Sequence, residues 1–273
     1  SLVRCRTGAA PLLEDNEFTG SNTVVNAWDS SPTLSRNRIH GNASQEAPLD
    51  FLRCTAVLRG NHIVDNAGEY AGAIRCRDSV LEMANNVVAC NRGGAAGGGA
   101  LTACDSTVTV TFCTIAHNRA WRYEGYPPNG AAPGLHLTDS DLCLANSILW
   151  ENAWQDGNTQ PQLGLVRGTA RVAYCDLQGG RAAAAGTVDW GDGILDADPE
   201  FADPDTYDFH LVSDIGRRKG GAWVADRFSS PCLDGGDPAA GWEKESAPDG
   251  GRANLGAYGG TAKASRSHGY RIL

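Results

Sequence analysis

Apolar and polar residues alternate along short stretches of this chain, and each stretch ends at a polar turn. The alternation is clear at Val108, Val110 and Phe112, and it returns at Leu142 and Leu144. A period of two is typical of β-strands, and no stretch longer than about a dozen residues keeps the 3.6 spacing of an α-helix. Glycine is abundant, with 34 residues, and there is only one methionine. The pattern predicts an all-β protein of short strands joined by turns.

A short phrase recurs after these strands: Asn or Cys, any residue, an apolar residue, two or three more, then Asn or Gly. The seven copies are NEFTGSN (16–22), NRIHGN (37–42), NHIVDN (61–66), NVVACN (86–91), CTIAHN (113–118), NSILWEN (146–152) and, more loosely, CDLQGG (175–180). Their starts are 21 to 33 residues apart. A fixed motif separated by insertions of varying length is typical of a solenoid.

Each repeat is interpreted as one coil of a parallel β-helix, with coils stacked ~4.8 Å apart. The first position of the phrase is predicted to point inward and form a ladder of amides between coils: Asn16, Asn37, Asn61, Asn86, Cys113, Asn146 and Cys175. The third position is predicted to fill the interior: Phe18, Ile39, Ile63, Val88, Ile115, Ile148 and Leu177. The trailing asparagines are predicted to bend the chain with left-handed backbone angles: Asn22, Asn42, Asn66, Asn91, Asn118 and Asn152.

The charge of the chain limits its predicted partners, and the positions of its cysteines indicate whether they form disulfides. The net charge of −9 argues against nucleic acid or an anionic membrane surface as the main partner. The sequence contains no run of 18 apolar residues, so it predicts no membrane-spanning helix. Several of the nine cysteines recur by register, which predicts buried packing residues and leaves one or two disulfides open. Residue 1 already falls inside a repeat, so we expect further coils upstream.

The C-terminal third carries the most specific resemblance. After the coils come DPEF (198–201), SPCLDGGDP (230–238) and GGRANLGAYGGTAKAS (250–265). With the repeated N-x-I-x-x-N phrase, these strings resemble right-handed parallel β-helix proteins of the pectate-lyase-like superfamily, especially large secreted or surface proteins of planctomycete-type bacteria. The resemblance implies a single-stranded right-handed parallel β-helix of about seven coils over 1–180. It also implies a last coil and irregular cap over 181–273, closing the open end, and an extracellular or cell-surface location.

The resemblance does not settle whether the chain is an enzyme, because the superfamily includes polysaccharide lyases, galacturonidases, epimerases and proteins without known activity. Neither the galacturonidase strings nor the calcium aspartates of pectate lyases are recognisable here. This favours a non-enzymatic role. Three hypotheses stay open: glycan-associated binding or display, a lyase or epimerase acting on uronate-containing glycans, and a purely structural part of a surface assembly with another surface protein.

Two long insertions come closest to indicating a function. RAWRYEGYPPNGAAPG (119–134) and AWQDGNTQPQLG (153–164) follow the same bend of consecutive coils, so they are predicted to be neighbours. Flat aromatic rings among polar groups suit stacking on sugars. The predicted substrate-binding residues are Arg92, Trp121, Tyr123, Tyr126 and Trp154.

Titratable residues lie beside that bend. Asp65, Cys90, His117 and Glu151 occupy matching places on successive coils, and Arg119 follows His117. A His between a Glu and two Arg side chains is able to remove a proton beside a sugar carboxylate while Arg neutralises the developing charge, so His117, Arg119 and Glu151 are the catalytic candidates. The alternative is that the aromatics pack the loops down and the charges are solvated.

No cofactor is predicted. RGGAAGGGA (92–100) lacks the Lys-Ser/Thr of a phosphate loop. An aspartate-rich stretch is a candidate for Ca²⁺, but it lacks the spacing of a twelve-residue calcium loop, and an acidic surface is the simpler interpretation. Its members are Asp189, Asp192, Asp196, Asp198, Asp203, Asp205 and Asp208.

Overall fold

The computed structural model describes residues 2–94, 97–121, 131–159 and 161–269, which form a right-handed parallel β-helix of about seven turns. The predictions of an all-β chain and of this architecture are confirmed. Each complete coil passes through sheets that we call A, B, C and D in chain order. Pairing within all four sheets is parallel, so each coil hydrogen-bonds to the coils before and after it.

Sheets A and B each contain eight strands. Sheet A consists of β1 (Val3–Cys5), β4 (Val25–Trp28), β8 (Leu49–Leu52), β12 (Ile74–Arg77), β16 (Leu101–Cys104), β20 (Leu135–Thr138), β24 (Leu163–Val166) and β27 (Ala184–Ala185). Sheet B consists of β2 (Leu12–Glu14), β5 (Thr33–Ser35), β9 (Thr55–Arg59), β13 (Val80–Ala84), β17 (Thr107–Thr111), β21 (Asp141–Ala145), β25 (Ala170–Ala173) and β28 (Val188–Trp190).

Sheet C has eight strands and sheet D five. Sheet C consists of β3 (Glu17–Thr19), β6 (Arg38–His40), β10 (His62–Val64), β14 (Val87–Ala89), β18 (Thr114–Ala116), β22 (Ile148–Trp150), β26 (Cys175–Leu177) and β29 (Ile194–Leu195). Sheet D consists of β7 (Ala43–Ser44), β11 (Ala67–Gly68), β15 (Arg92–Gly93), β19 (Arg119–Ala120) and β23 (Ala153–Trp154). Two 3-10 helices, Gly180–Ala183 and Pro204–Thr206, and two antiparallel hairpins, β30 (Phe201–Asp203) with β31 (Asp208–Leu211) and β32 (Arg217–Lys219) with β33 (Ala222–Val224), complete the described elements.

The predicted asparagine ladder lies between sheets B and C. Asn37 donates from Nδ2 to Asn61 Oδ1 at 3.0 Å, and Asn61 donates to Asn86 Oδ1 at 2.9 Å. The side chains of these three asparagines are buried, and each Oδ1 that accepts a side-chain bond also accepts the backbone N–H of the preceding ladder residue. Cys113 and Cys175 continue the column as buried free thiols. The inward ladder is therefore confirmed at these positions.

One copy of the phrase, NSILWEN (146–152), lies one residue away from the predicted register at its first and third positions. Ser147 Oγ, not Asn146, accepts the N–H of Cys113, and Leu149 rather than Ile148 pairs with Ile115 in the interior row. The longer copies allow either of two adjacent residues to face inward. Asn146 takes the left-handed bend instead, with a φ of 52°.

The trailing asparagines have a different role from the one predicted. They form a second buried ladder between sheets C and D, in which Asn66, Asn91 and Asn118 bond from Nδ2 to the Oδ1 of the next member at 2.8 to 3.0 Å. In the first coil Ser21 occupies this ladder, whereas Asn22 is exposed. The left-handed angles belong to the residues just before the ladder, because those residues turn the corner. They are Gly41, Asp65, Cys90, His117 and Glu151.

The C-terminal part differs from the end closure that the resemblance implied. We call residues 198–268 the lateral segment, because its contacts run along the outer face of sheet C. Phe209 and Ala257 pack against Val64, Val87, Ala89 and Ala116. The division of the chain at residue 180 stays a prediction.

Polar contacts anchor the same segment over several coils. Asn85 Nδ2 donates to the Ala257 and Gly259 carbonyls at 3.1 and 2.9 Å, and Asn146 Oδ1 accepts the Asp237 N–H at 2.7 Å. The physical reason for the cover is that β14, β18 and β22 carry apolar or small residues on both faces, so their outer face needs burial as well.

Candidate functional site

The bend between sheets C and D aligns the predicted titratable residues. Asp65, Cys90, His117 and Glu151 all have left-handed φ angles of 50 to 56° and precede successive members of the second asparagine ladder. Non-glycine residues adopt this conformation rarely, so the repeated geometry fixes the direction in which each side chain leaves the coil. The predicted alignment of these four residues on successive coils is therefore confirmed.

His117 and Glu151 form a pair across adjacent coils. His117 Nδ1 lies 3.1 Å from Glu151 Oε2, and the imidazole packs against the rings of Phe201 and Phe209. Burial lowers the pKa of His117, and the neighbouring Glu151 carboxylate offsets part of that effect. The imidazole is thus neutral at pH 7, with Nδ1–H donating to Glu151 and Nε2 free to accept a proton.

Two arginines and one aromatic ring are exposed next to this pair. Arg92 and Arg119 pair in register on β15 and β19, and Trp121 follows with 47% of its surface exposed. Among the described residues, neither guanidinium has an ion pair within 4.0 Å. We call Arg92, Arg119 and Trp121 the arginine surface.

The other predicted aromatics do not extend the arginine surface. Trp154 is 1% exposed and packs between Ala120 and Ala131, so the prediction that it lines a groove is wrong. Its position on β23 turns the ring onto Ala120 and Ala131, where burial of a large apolar area outweighs exposure. Tyr123 and Tyr126 lie outside the described residues.

A cavity of about 350 Å³ lies where the lateral segment meets sheet C, and no pattern in the sequence predicts it. We call it the lateral pocket. Its lining joins β6, β10 and β14 turns to residues near 260, and consists of Arg36, Gly60, Asn61, His62, Asn85, Val87, Ala257, Tyr258, Thr261, Ala262 and Lys263. The lining residues lie up to more than 200 positions apart in the sequence, so no local motif groups them.

A second unpredicted feature is a polar row on the outer face of sheet A. Asn26, Asp50, Arg75, Thr102 and His136 follow one another across five coils. Asp50 is buried and contacts Arg77 Nη2 at 3.3 Å, and burial raises the pKa of the Asp50 carboxyl. His136 Nδ1 is buried without a hydrogen-bond partner among the described residues.

The glycine-rich run 92–100 has a packing role beside this row. A side chain at Gly97 would meet the Thr102 hydroxyl and the Tyr70 carbonyl, and one at Gly93 would meet the Gly98 carbonyl. Glycine is required there because adjacent loops touch through their backbones.

Three of the aspartates that were candidates for Ca²⁺ serve turns and ion pairs. Asp196 accepts the Gly179 N–H at 2.8 Å, Asp198 accepts the Glu200 N–H at 2.9 Å, and Asp208 binds His210 and Arg217. Over the described ranges, no group of three or more His, Cys, Asp or Glu side chains is arranged to hold a metal ion. The helices of the same part of the chain are too short to cross a membrane.

The comparisons with known proteins agree with this architecture. Residues 3–146 match the family model "Right handed beta helix region", and residues 175–236 match the model "Disaggregatase related". Neither the curated proteins nor the solved structures include a significant match. Since the first model covers more than half of the 273 residues and the coils have the geometry that it describes, the chain belongs to the right-handed β-helix family.

Proposed function

We propose that the chain is an extracellular or surface-displayed β-helix module that binds acidic glycans at the arginine surface. The observation that carries the proposal is the register of Arg92 and Arg119, two exposed cations that repeat at the coil spacing beside the exposed Trp121 ring and have no ion pair among the described residues. The two family matches support a module that works at a surface or outside the cell.

The chemistry of this surface suits a polyanion. Adjacent parallel strands repeat every ~4.8 Å, so the two guanidiniums form a short cationic stripe in a chain whose net charge is −9. Guanidinium binds carboxylate or sulfate through two parallel N–H donors. The Trp121 ring offers a flat face for a sugar ring.

The test compares polysaccharides that differ in charge. Affinity electrophoresis would measure retardation by polygalacturonate, heparin and neutral mannan, with retardation by the two acidic polymers expected to fall as salt is raised. The double variant Arg92→Gln and Arg119→Gln is expected to abolish retardation. The matched control changes Arg59 and Arg171, two exposed arginines on sheet B, to glutamine. Equal retardation of both double variants, or none for the wild type, overturns the proposal.

A second candidate function, a polysaccharide lyase or epimerase, is favoured by the His117–Glu151 pair. A neutral imidazole whose Nδ1–H is held by a carboxylate is a competent proton acceptor at Nε2. Lyase activity would appear as ultraviolet absorbance of unsaturated products from uronate polymers, and epimerase activity as solvent deuterium in the polymer. Both signals should disappear in His117→Ala. If wild-type protein gives neither signal, this second function is rejected and the binding module stands.

A further inference from the structure

The lateral pocket lies at the boundary between the covered and uncovered parts of sheet C. One outward-facing row of sheet C begins with two charged residues, Glu17 and Arg38, on the first two coils. His62 follows on the third coil, and the row becomes apolar at Val87 on the fourth. The lateral segment covers the apolar part and contains a turn at residues 258–263. The cavity therefore lies at the edge of the packed interface between sheet C and the lateral segment.

Tyr258 is held rigidly at this edge. His210 stacks in parallel on the Tyr258 ring with 3.8 Å between centroids, and Asp208 fixes the imidazole through Nδ1 at 2.6 Å. Arg217, which is buried, bonds the half-buried carboxylates of Asp208 at 3.1 Å and Asp226 at 3.0 Å, so this chain of charges immobilises the stack. A ring held in advance loses little conformational entropy when a ligand packs on it.

His62 contributes a hydrogen-bond acceptor of known tautomer. Its Nε2 lies 3.1 Å from the Tyr207 carbonyl, and burial lowers the pKa of His62 to about 4. The imidazole is therefore neutral at pH 7, with Nε2–H donating to the carbonyl and Nδ1 left as an acceptor. A hydroxyl group is the complementary donor.

The cations of the pocket are unequal. Arg36 already pairs with Glu14 and Asp15 at 3.0 and 2.7 Å. The ammonium of Lys263 has no ion pair within the described part of the chain, and the Lys263 N–H bonds the Thr261 hydroxyl, which in turn bonds the Tyr258 carbonyl. One free positive charge thus sits on the same turn as the immobilised ring.

We propose that the lateral pocket binds one anionic sugar ring, with its carboxylate on Lys263, a hydroxyl on His62 Nδ1 and its apolar face toward Tyr258. The volume of about 350 Å³ lies at the small end of ligand sites, which span roughly 300–1,000 Å³. The pocket shares no residue with the arginine surface, so it stands or falls independently of the proposed function.

The experiment uses sodium glucuronate, with glucose as its uncharged counterpart, on the full chain. Titration calorimetry should detect glucuronate binding that is weaker by about tenfold or more in Lys263→Gln, the loss expected for one charge-assisted contact. Lys219→Gln is the matched control, since Lys219 is an exposed lysine of the same segment, on β32. Amide spectra should show the Asn85 side-chain signals shifting with glucuronate, because this amide lines the pocket.

Three results would overturn the proposed binding in the lateral pocket. They are glucose binding as tightly as glucuronate, equal glucuronate affinity of Lys263→Gln and Lys219→Gln, and amide spectra in which glucuronate leaves the Asn85 side-chain signals unchanged. Polysaccharide retardation in Lys263→Gln separates the two proposals. Loss of glucuronate binding with retardation intact supports a distinct pocket, whereas parallel loss of both contradicts it.

Discussion

Asn91 offers the sharpest test of the second ladder. Its buried Oδ1 accepts the backbone N–H and the Nδ2–H of Asn66, both at 3.0 Å, and its Nδ2 donates to the Ile63 carbonyl and Asn118 Oδ1 at 2.9 and 3.0 Å. Asn91→Leu keeps the branching and the number of heavy atoms of the side chain and removes all four bonds. We expect the variant to be strongly destabilised even though it buries more apolar surface.

The loss of unfolding free energy in Asn91→Leu depends on which hydrogen-bond partners of Asn91 keep another bond. Asn66 Nδ2 retains the Ile39 and Val64 carbonyls, and Asn118 Oδ1 retains the Asn91 N–H. The Asn66 N–H has no other hydrogen-bond acceptor within the described ranges. One orphaned buried donor costs about 1–3 kcal/mol, and each of the three other bonds contributes about 0.5–1.5 kcal/mol, so the loss is roughly 2.5–7.5 kcal/mol.

Urea unfolding followed by circular dichroism measures this loss as a shift in midpoint at constant slope. Asn22→Leu is the control, because Asn22 ends the equivalent phrase of the first coil but is exposed, with Ser21 in the ladder. Its unfolding free energy should change by less than about 0.5 kcal/mol. If the two variants unfold at the same urea concentration, the ladder does not carry the stability assigned to it here.

Three further predictions follow from burial. Trp154→Ala should lower the unfolding free energy by about 3–5 kcal/mol and Trp121→Ala by less than about 1 kcal/mol, measured by the same unfolding assay, because only the first creates a cavity. Native iodoacetamide labelling at pH 8 should modify exposed Cys143 and spare Cys113, whose pKa burial raises to about 11; peptide mapping that finds Cys113 modified would contradict this. Burial raises the pKa of Asp176 to about 6, above its unfolded value near 4. The stability it contributes is therefore full below about pH 4 and lost as the pH rises through about 6, so Asp176→Asn should flatten the fall in melting temperature between pH 4 and 8, and an unchanged slope would exclude the assignment.

The fold could be predicted from the sequence because the patterns that indicate it are local and repeated. Strands such as β17 alternate with period two, and Asn37, Asn61 and Asn86 mark one corner of successive coils. A repeat multiplies a weak local preference by the number of coils, so even an approximate phrase predicts the stack. The His117–Glu151 contact was predictable for the same reason, since both residues hold one place in the phrase.

Register was only partly determined, since a phrase with one extra residue offers two inward candidates. Ser147 and Leu149 face inward because their neighbours in adjacent coils supply matching donors and apolar contacts, and that choice depends on the stack as a whole. The burial of Trp154 has the same origin. Exposure of an aromatic ring in a long loop depends on where Ala120 and Ala131 come to lie.

The lateral segment and its pocket were decided by tertiary structure alone. A signal was present, because β14 and β22 read as continuous apolar runs, VVA and ILW, which is typical of strands covered on both faces. That pattern says that a cover exists without saying which part of the chain supplies it. His62 meets Tyr207, and Asn85 meets Ala257, across 145 and 172 positions. No local periodicity links residues so far apart, and only the burial of a shared apolar face brings them together.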